Sequence, residues 1–70
     1  MSARDAMLRV FVAIGAAHAG GPLTLEALME RLRDPVFRAR FNGPPPAAVT
    51  FPDEETAALA ARFENAKRVP

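Results

Sequence analysis

The side chains of this chain that could take part in chemistry are mainly arginines. Four of them lie within ten residues of one another: Arg31, Arg33, Arg38 and Arg40. The only acidic residue between them is Asp34. Guanidinium groups bind phosphates or carboxylates through paired hydrogen bonds. This spacing predicts a partner-binding surface, to which we add the neighbouring Phe37 and Phe41. The alternative is that these arginines form only a solvated face at a helix junction.

Catalytic chemistry is not indicated by the remaining polar residues. General acid–base or nucleophilic catalysis needs at least two reactive groups that are brought together and shielded from water. His18 is the only imidazole, and its place near a helix end predicts a structural role. The acids are isolated or form the run Asp53–Glu55, which a helix start explains. The chain has no cysteine, and one histidine does not make a zinc site without several converging carboxylates. We therefore expect no catalytic, metal-binding or cofactor-binding residues.

Net charge and hydropathy indicate which further classes of protein are disfavoured. Nine basic and eight acidic residues leave a net charge of +1, which is not the overall footprint of a nucleic-acid-binding protein. The apolar stretch 6–19 is too short, and too interrupted by Arg9 and His18, to cross a membrane. Asp5 before this stretch and Arg9 within it also argue against a secretion signal. We expect a cytoplasmic protein.

Helical periodicity and capping residues predict an all-α protein with three to four short helices in one domain, residues 1–70. The helices are expected over residues 3–19, 24–33, 35–41 and 53–68. Ser2, Thr24 and Asp34 are typical N-cap residues, and Gly20 is a typical C-cap glycine. The proline run 44–46 is expected to form a stiff loop before the last helix. Within that last helix, Glu64 and Arg68 are four positions apart, the spacing of a helical ion pair.

The apolar stripes of these helices predict the core. Its expected members are Phe11, Ile14, Leu28, Leu32, Phe37, Phe41 and Phe63. Met29 and Val36 are expected to face inward beside them, and Val49 and Phe51 to be held against the core. Seventy residues are near the lower limit for a domain that folds alone, and such domains usually add a disulfide, a metal or another chain. Because neither of the first two is expected, we predict self-association or a partner protein.

The first half of the chain resembles the opening of a bacterial winged-helix regulator. The resemblance lies in Met7–Val10 and in the Gly-Gly-Pro-Leu-Thr turn and following helix of Gly20–Leu28. It implies that the next helix reads the major groove of DNA. That helix would begin almost directly, at Asp34-Pro35, and would offer Arg38 and Arg40 to DNA. The proline run stands where a wing would follow.

The second half is similar to small helical domains such as the alpha subunit of protocatechuate-type extradiol dioxygenases. The same pattern occurs in precursors and partner-binding domains of ribosomally made, modified peptides. The resemblance lies in four segments: Leu32–Phe41, Pro46–Val49, Pro52–Glu55 and Ala57–Leu59. It departs from the family at residues 42–45 and lacks the usual Gly-Leu-Thr before the last helix. It implies docking onto, or lidding, a larger enzyme, and no catalytic residue carries over.

Two functions remain after these exclusions. The first is a non-enzymatic protein-binding module, either an accessory subunit or a small regulator or inhibitor of a larger protein. The alternative is a compact helix-turn-helix-like DNA-binding regulator that uses the four arginines. The absence of tyrosine and tryptophan disfavours binding of single-stranded nucleic acid by base stacking.

Overall fold

Four helices, joined by short loops, build the fold. The structure is a computed structural model that describes residues 2–68, with side chains through residue 66. The helices are α1 (Ala3–Ala19), α2 (Leu25–Arg31), α3 (Pro35–Asn42) and α4 (Glu54–Arg68). The described residues contain no strand, so the predicted all-α class is confirmed. The predicted pair of Glu64 with Arg68 lies outside the described side chains.

The helices begin where the sequence supplies capping side chains. Ser2, Thr24 and Asp34 accept hydrogen bonds from the backbone N–H groups of Asp5, Ala27 and Val36 at 3.3, 3.2 and 2.9 Å. Each bond satisfies a backbone donor that has no partner within its helix. Pro35 occupies the first turn of α3, where the missing N–H costs nothing. All three predicted N-caps are therefore confirmed.

The end of α1 is fixed by a glycine turn. Gly20 has a left-handed backbone with φ 77°, and its N–H donates to the carbonyl of Ala17 at 3.3 Å. The N–H of Gly21 donates to the carbonyl of Ala16 at 3.2 Å, which completes a Schellman motif. Glycine adopts this backbone without the steric cost that a Cβ atom brings. The chain can therefore reverse directly toward α2.

The junction between α2 and α3 is longer than the sequence indicated. The second helix ends at Arg31, two residues before its predicted end. The N–H groups of Arg33 and Asp34 donate to the carbonyls three residues earlier, at 3.1 and 3.0 Å, so the chain leaves α2 through a tight turn. The reason is Pro35, which disfavours helical backbone at the preceding Asp34. Asp34 is accordingly extended, with φ −76° and ψ 119°.

Helix α1 lies at the centre of the fold and contacts each of the other three helices, α4 most extensively. The buried apolar residues are Ala6, Val10, Ile14, Leu28, Phe41 and Ala60. Of the predicted core, Ile14, Leu28 and Phe41 are buried. The rest are half-buried: Phe11, Leu32 and Phe37 pack against the core, and Phe63 contacts the ring of Phe11 edge-on at 5.3 Å. Val49 and Phe51 also pack against it, as predicted.

Two of the inward-facing predictions were wrong. Met29 is 62% exposed and Val36 is 68% exposed. Helices α2 and α3 are short, and each packs against α1 along one narrow stripe. A residue one position away from that stripe is rotated by about 100° around the helix axis, so its side chain lies outside the contact with α1. These two residues become the exposed apolar side chains of the α2–α3 region.

The first turn of α4 is linked to α1 through Asp53. One Asp53 carboxylate oxygen accepts a hydrogen bond from the Thr56 N–H at 2.7 Å, and the other is 3.4 Å from the Arg9 guanidinium. The fully buried Thr56 side chain, then the Thr56 N–H and finally Arg9 lower the pKa of Asp53 below its ordinary value of 3.8, against the opposing effect of burial. The ionised carboxylate therefore stabilises the folded state.

Replacing Asp53 by asparagine should remove a pH-dependent part of the stability. A lowered pKa contributes stability that is present above pH 3.8 and is lost as the pH falls through the folded-state value. Asparagine is itself a good N-cap, so Asp53→Asn keeps the cap and removes the charge. We expect wild type to unfold at higher urea than Asp53→Asn at neutral pH, and the two midpoints to converge once the pH lies below the lowered pKa of Asp53. A difference that persists unchanged in acid would contradict this role.

Candidate functional site

The four predicted arginines lie along the α2–turn–α3 segment. Arg31 is the last residue of α2, Arg33 lies in the turn, and Arg38 and Arg40 lie on α3. All four side chains are exposed. Within the described part of the chain none of these four arginines forms an ion pair, whereas Arg9 pairs with Asp53. Their charges are available to an external partner.

Helical spacing divides the arginines between two sides of the segment. Arg40 follows Val36 by four positions on α3, which places both on one face. Arg33 lies beyond the end of α2, in the turn of residues 32–34, so the helical spacing of α2 does not place it on the face of Met29. Arg38 lies about 200° around α3 from Arg40 and points to another side. We define the α2–α3 surface by these exposed apolar and basic residues of the segment: Met29, Arg33, Val36 and Arg40.

The acids near this surface do not neutralise it. Between residues 29 and 42 the only acids are Glu30 and Asp34, against four arginines. The Asp34 carboxylate is already engaged as the N-cap of α3, where it accepts a hydrogen bond from the Val36 N–H at 2.9 Å. The acidic run Asp53–Glu55 lies instead at the start of α4, beside Arg9 of α1. The α2–α3 region is therefore positively charged although the whole chain is close to neutral.

The two phenylalanines that we assigned to the partner-binding set hold α3 in place. Phe41 is 8% exposed and packs against Phe11, Phe37 and His18, with ring centroids 6.2, 6.4 and 6.2 Å away. Phe37 is half-buried and lies 6.3 Å from the His18 ring, edge to face. Phe41 therefore offers little surface to a partner and supports the arginine-bearing helix from inside. His18 is half-buried among these aromatic rings.

An apolar cleft lies between α1 and α4. Its volume is about 210 Å³, and it is lined by Met7, Val10, Phe11, Leu59, Arg62 and Phe63. The space is comparable with that of one large apolar side chain. The sequence showed the apolar stripes of both helices but not that they leave a gap between them. Arg62 is exposed and contributes the one charged side chain of the lining.

Residues 2–68 offer neither a metal-binding cluster nor a membrane-spanning helix. No group of three or more histidine and acidic side chains stands close enough together there to hold a metal ion. Among the described helices, none combines the length and the hydropathy that a membrane span requires. The exposed residues that sequence reasoning missed are Met29 and Val36, because their apolar character at helical spacing indicated burial.

No protein-family model, no curated protein and no solved structure matches this chain. The resemblances to winged-helix regulators and to dioxygenase alpha subunits therefore stay predictions.

Proposed function

We propose that this chain is a non-enzymatic protein-binding module, a small cytoplasmic accessory subunit or regulator that docks on a larger protein. The observation that carries the proposal is the α2–α3 surface. There, Met29 and Val36 are more than half exposed, and the arginines of the same segment have no ion-pair partner within the described residues. Exposed apolar side chains ringed by charge are typical of protein–protein contacts.

The small size of the domain supports the same proposal, because a chain of 70 residues buries a small core and is near the lower limit for folding alone. The resemblance of the second half to alpha-subunit domains also favours docking on a larger enzyme.

A capture experiment with matched variants tests the proposal. The tagged chain should retain a specific protein from a lysate of its source cells, and Met29→Ser/Val36→Ser should lose that protein. Met7→Ser on α1 is the control, because Met7 is also exposed but lies away from the α2–α3 surface. A purified chain that is monomeric, stable alone and captures no protein would contradict the proposal.

A second candidate function is a compact DNA-binding regulator. The observation that favours it is the tight turn of residues 32–34 between α2 and α3, with exposed arginines on both sides. If four arginines contact phosphates, the affinity for duplex DNA should fall with salt at a log–log slope of about −3.6. A flat salt response, or unchanged binding by Arg38→Ala/Arg40→Ala, would reject this candidate.

A further inference from the structure

We propose that the α1–α4 face binds a second copy of this chain, so that α4 packs in antiparallel orientation against the α4 of the other copy. We define the α1–α4 face by six residues that line two adjoining depressions: Met7, Glu55, Ala58, Leu59, Arg62 and Phe63. The inference goes beyond the proposed docking function, because this face shares no residue with the α2–α3 surface.

The structure shows that the α1–α4 face is continuous. A second depression adjoins the apolar cleft on the side of the helix starts, and Glu55 and Ala58 border it together with α1. Leu59 and Arg62 line both the cleft and this depression, so the two belong to one surface. All four of these residues lie within α4, at positions i, i+3, i+4 and i+7, which is the spacing of a single helix face.

Apolar side chains of this face remain partly open to solvent. Met7 is 38% exposed, and Leu59 and Phe63 are half-buried along the cleft of about 210 Å³. A second copy that covers the cleft removes these side chains from water. This burial stabilises the pair in proportion to the apolar area that is covered.

Two opposite charges flank the apolar centre of α4. Glu55 and Arg62 are both exposed and are seven positions apart, about 10 Å along the helix axis. Neither forms an ion pair within the described residues. If two copies of α4 lie antiparallel about a twofold axis between Ala58 and Leu59, each Glu55 faces the Arg62 of the other copy. A second copy therefore supplies the opposite charge to both residues at once.

The same twofold axis also matches the sizes of the central side chains. It places the small Ala58 of each copy opposite the larger Leu59 of the other. Small and large side chains that face each other in this way interdigitate, and helix axes then approach to about 8–10 Å. A parallel pair would instead bring Glu55 against Glu55 and Arg62 against Arg62, which is repulsive. The charges therefore select the antiparallel orientation.

The charge balance of the face favours a second copy over a strongly charged partner. The charged residues that line the cleft and the depression are one acid and one arginine, Glu55 and Arg62. A nucleic acid, or a strongly acidic or basic protein, would bring a like charge to one of them. A copy related by a twofold axis brings a like charge to neither.

Sedimentation equilibrium with charge-reversed variants tests the dimer. The wild-type mass should rise from 7.5 kDa towards twice that value as the concentration increases. Glu55→Arg and Arg62→Glu should each raise the dissociation constant of the dimer roughly tenfold or more, because each turns both ion pairs between the copies into repulsive pairs. An equal mixture of these two variants should associate about as tightly as wild type. The double variant Glu55→Arg/Arg62→Glu should dimerise again, because it exchanges the charges and keeps their complementarity.

Three further variants locate the contact. Ala58→Gln should weaken the dimer, because a longer neutral side chain beside the twofold axis keeps the helices apart. Ala57→Gln is its matched control, since Ala57 is also exposed on α4 but lines a different depression, beside the proline run. Glu30→Arg/Arg38→Glu makes the same exchange of charges on α2 and α3 and should leave the dissociation constant nearly unchanged. All exchanged side chains are exposed, so circular dichroism should show wild-type helix content in every variant.

Several results would overturn the inference. They are a wild-type chain that stays at 7.5 kDa up to about 1 mM, mixed charge variants that associate no better than each alone, and an equal loss in Ala57→Gln. If the wild-type chain is monomeric and Ala58→Gln loses a captured cellular protein, another protein covers this face and the second copy is rejected. The docking function is judged separately, by the capture experiment with Met29→Ser/Val36→Ser.

Discussion

Replacing Leu28 by alanine should lower the free energy of unfolding by about 2–5 kcal/mol. Leu28 is 1% exposed and lies in α2 against the buried Gly15 of α1. A Cβ atom at Gly15 would collide with a methyl group of Leu28, which shows how closely the two helices approach. Truncation leaves a cavity at the contact that holds α2 to the fold. Urea unfolding followed by circular dichroism measures the loss.

A substitution at Met29, the next residue of α2, is the control for Leu28→Ala. Met29 is 62% exposed, so Met29→Ala should change the free energy of unfolding by no more than about 0.5 kcal/mol. The two variants sit side by side on one helix and differ in the face that they alter. Equal losses would mean that α2 does not pack on α1 through Leu28.

Replacing Phe41 by alanine should cost about 3–5 kcal/mol of stability. Its ring contacts the rings of Phe11, Phe37 and His18, so its removal opens the aromatic cluster between α1 and α3. Folded proteins typically have only about 5–15 kcal/mol in total, and small domains lie at the low end. We expect Phe41→Ala to melt at a much lower temperature and to lose much of its helix signal at physiological temperature.

The loss of stability expected for Phe41→Ala makes it possible to distinguish an effect on folding from an effect on partner binding. Phe37→Ala removes a half-buried ring from the same cluster and should cost less than Phe41→Ala. Any loss of partner binding by Phe41→Ala should follow the loss of folded protein, because the side chain is 8% exposed. If Phe41→Ala kept the wild-type unfolding midpoint and still lost binding, the residue would contact the partner directly.

The sequence by itself determined where the helices begin and where the first one ends. Ser2, Thr24 and Asp34 supply oxygen atoms to the backbone N–H groups of their own helices. Gly20 adopts the left-handed backbone that ends α1. These are interactions between residues at most a few positions apart, so they do not depend on how the helices pack. The charge of the arginine-bearing segment was equally readable from its composition.

Only the tertiary structure decided which apolar side chains are buried. Helix α1 is contacted by three helices, so it buries a broad face that includes Ala6 and Val10, outside the predicted core. Helices α2 and α3 each pack along one stripe, so Met29 and Val36 remain exposed. A helical period of about 3.6 residues identifies an apolar face but not how much of it the neighbours cover. That coverage makes the arginine-bearing segment of the sequence an apolar and basic surface.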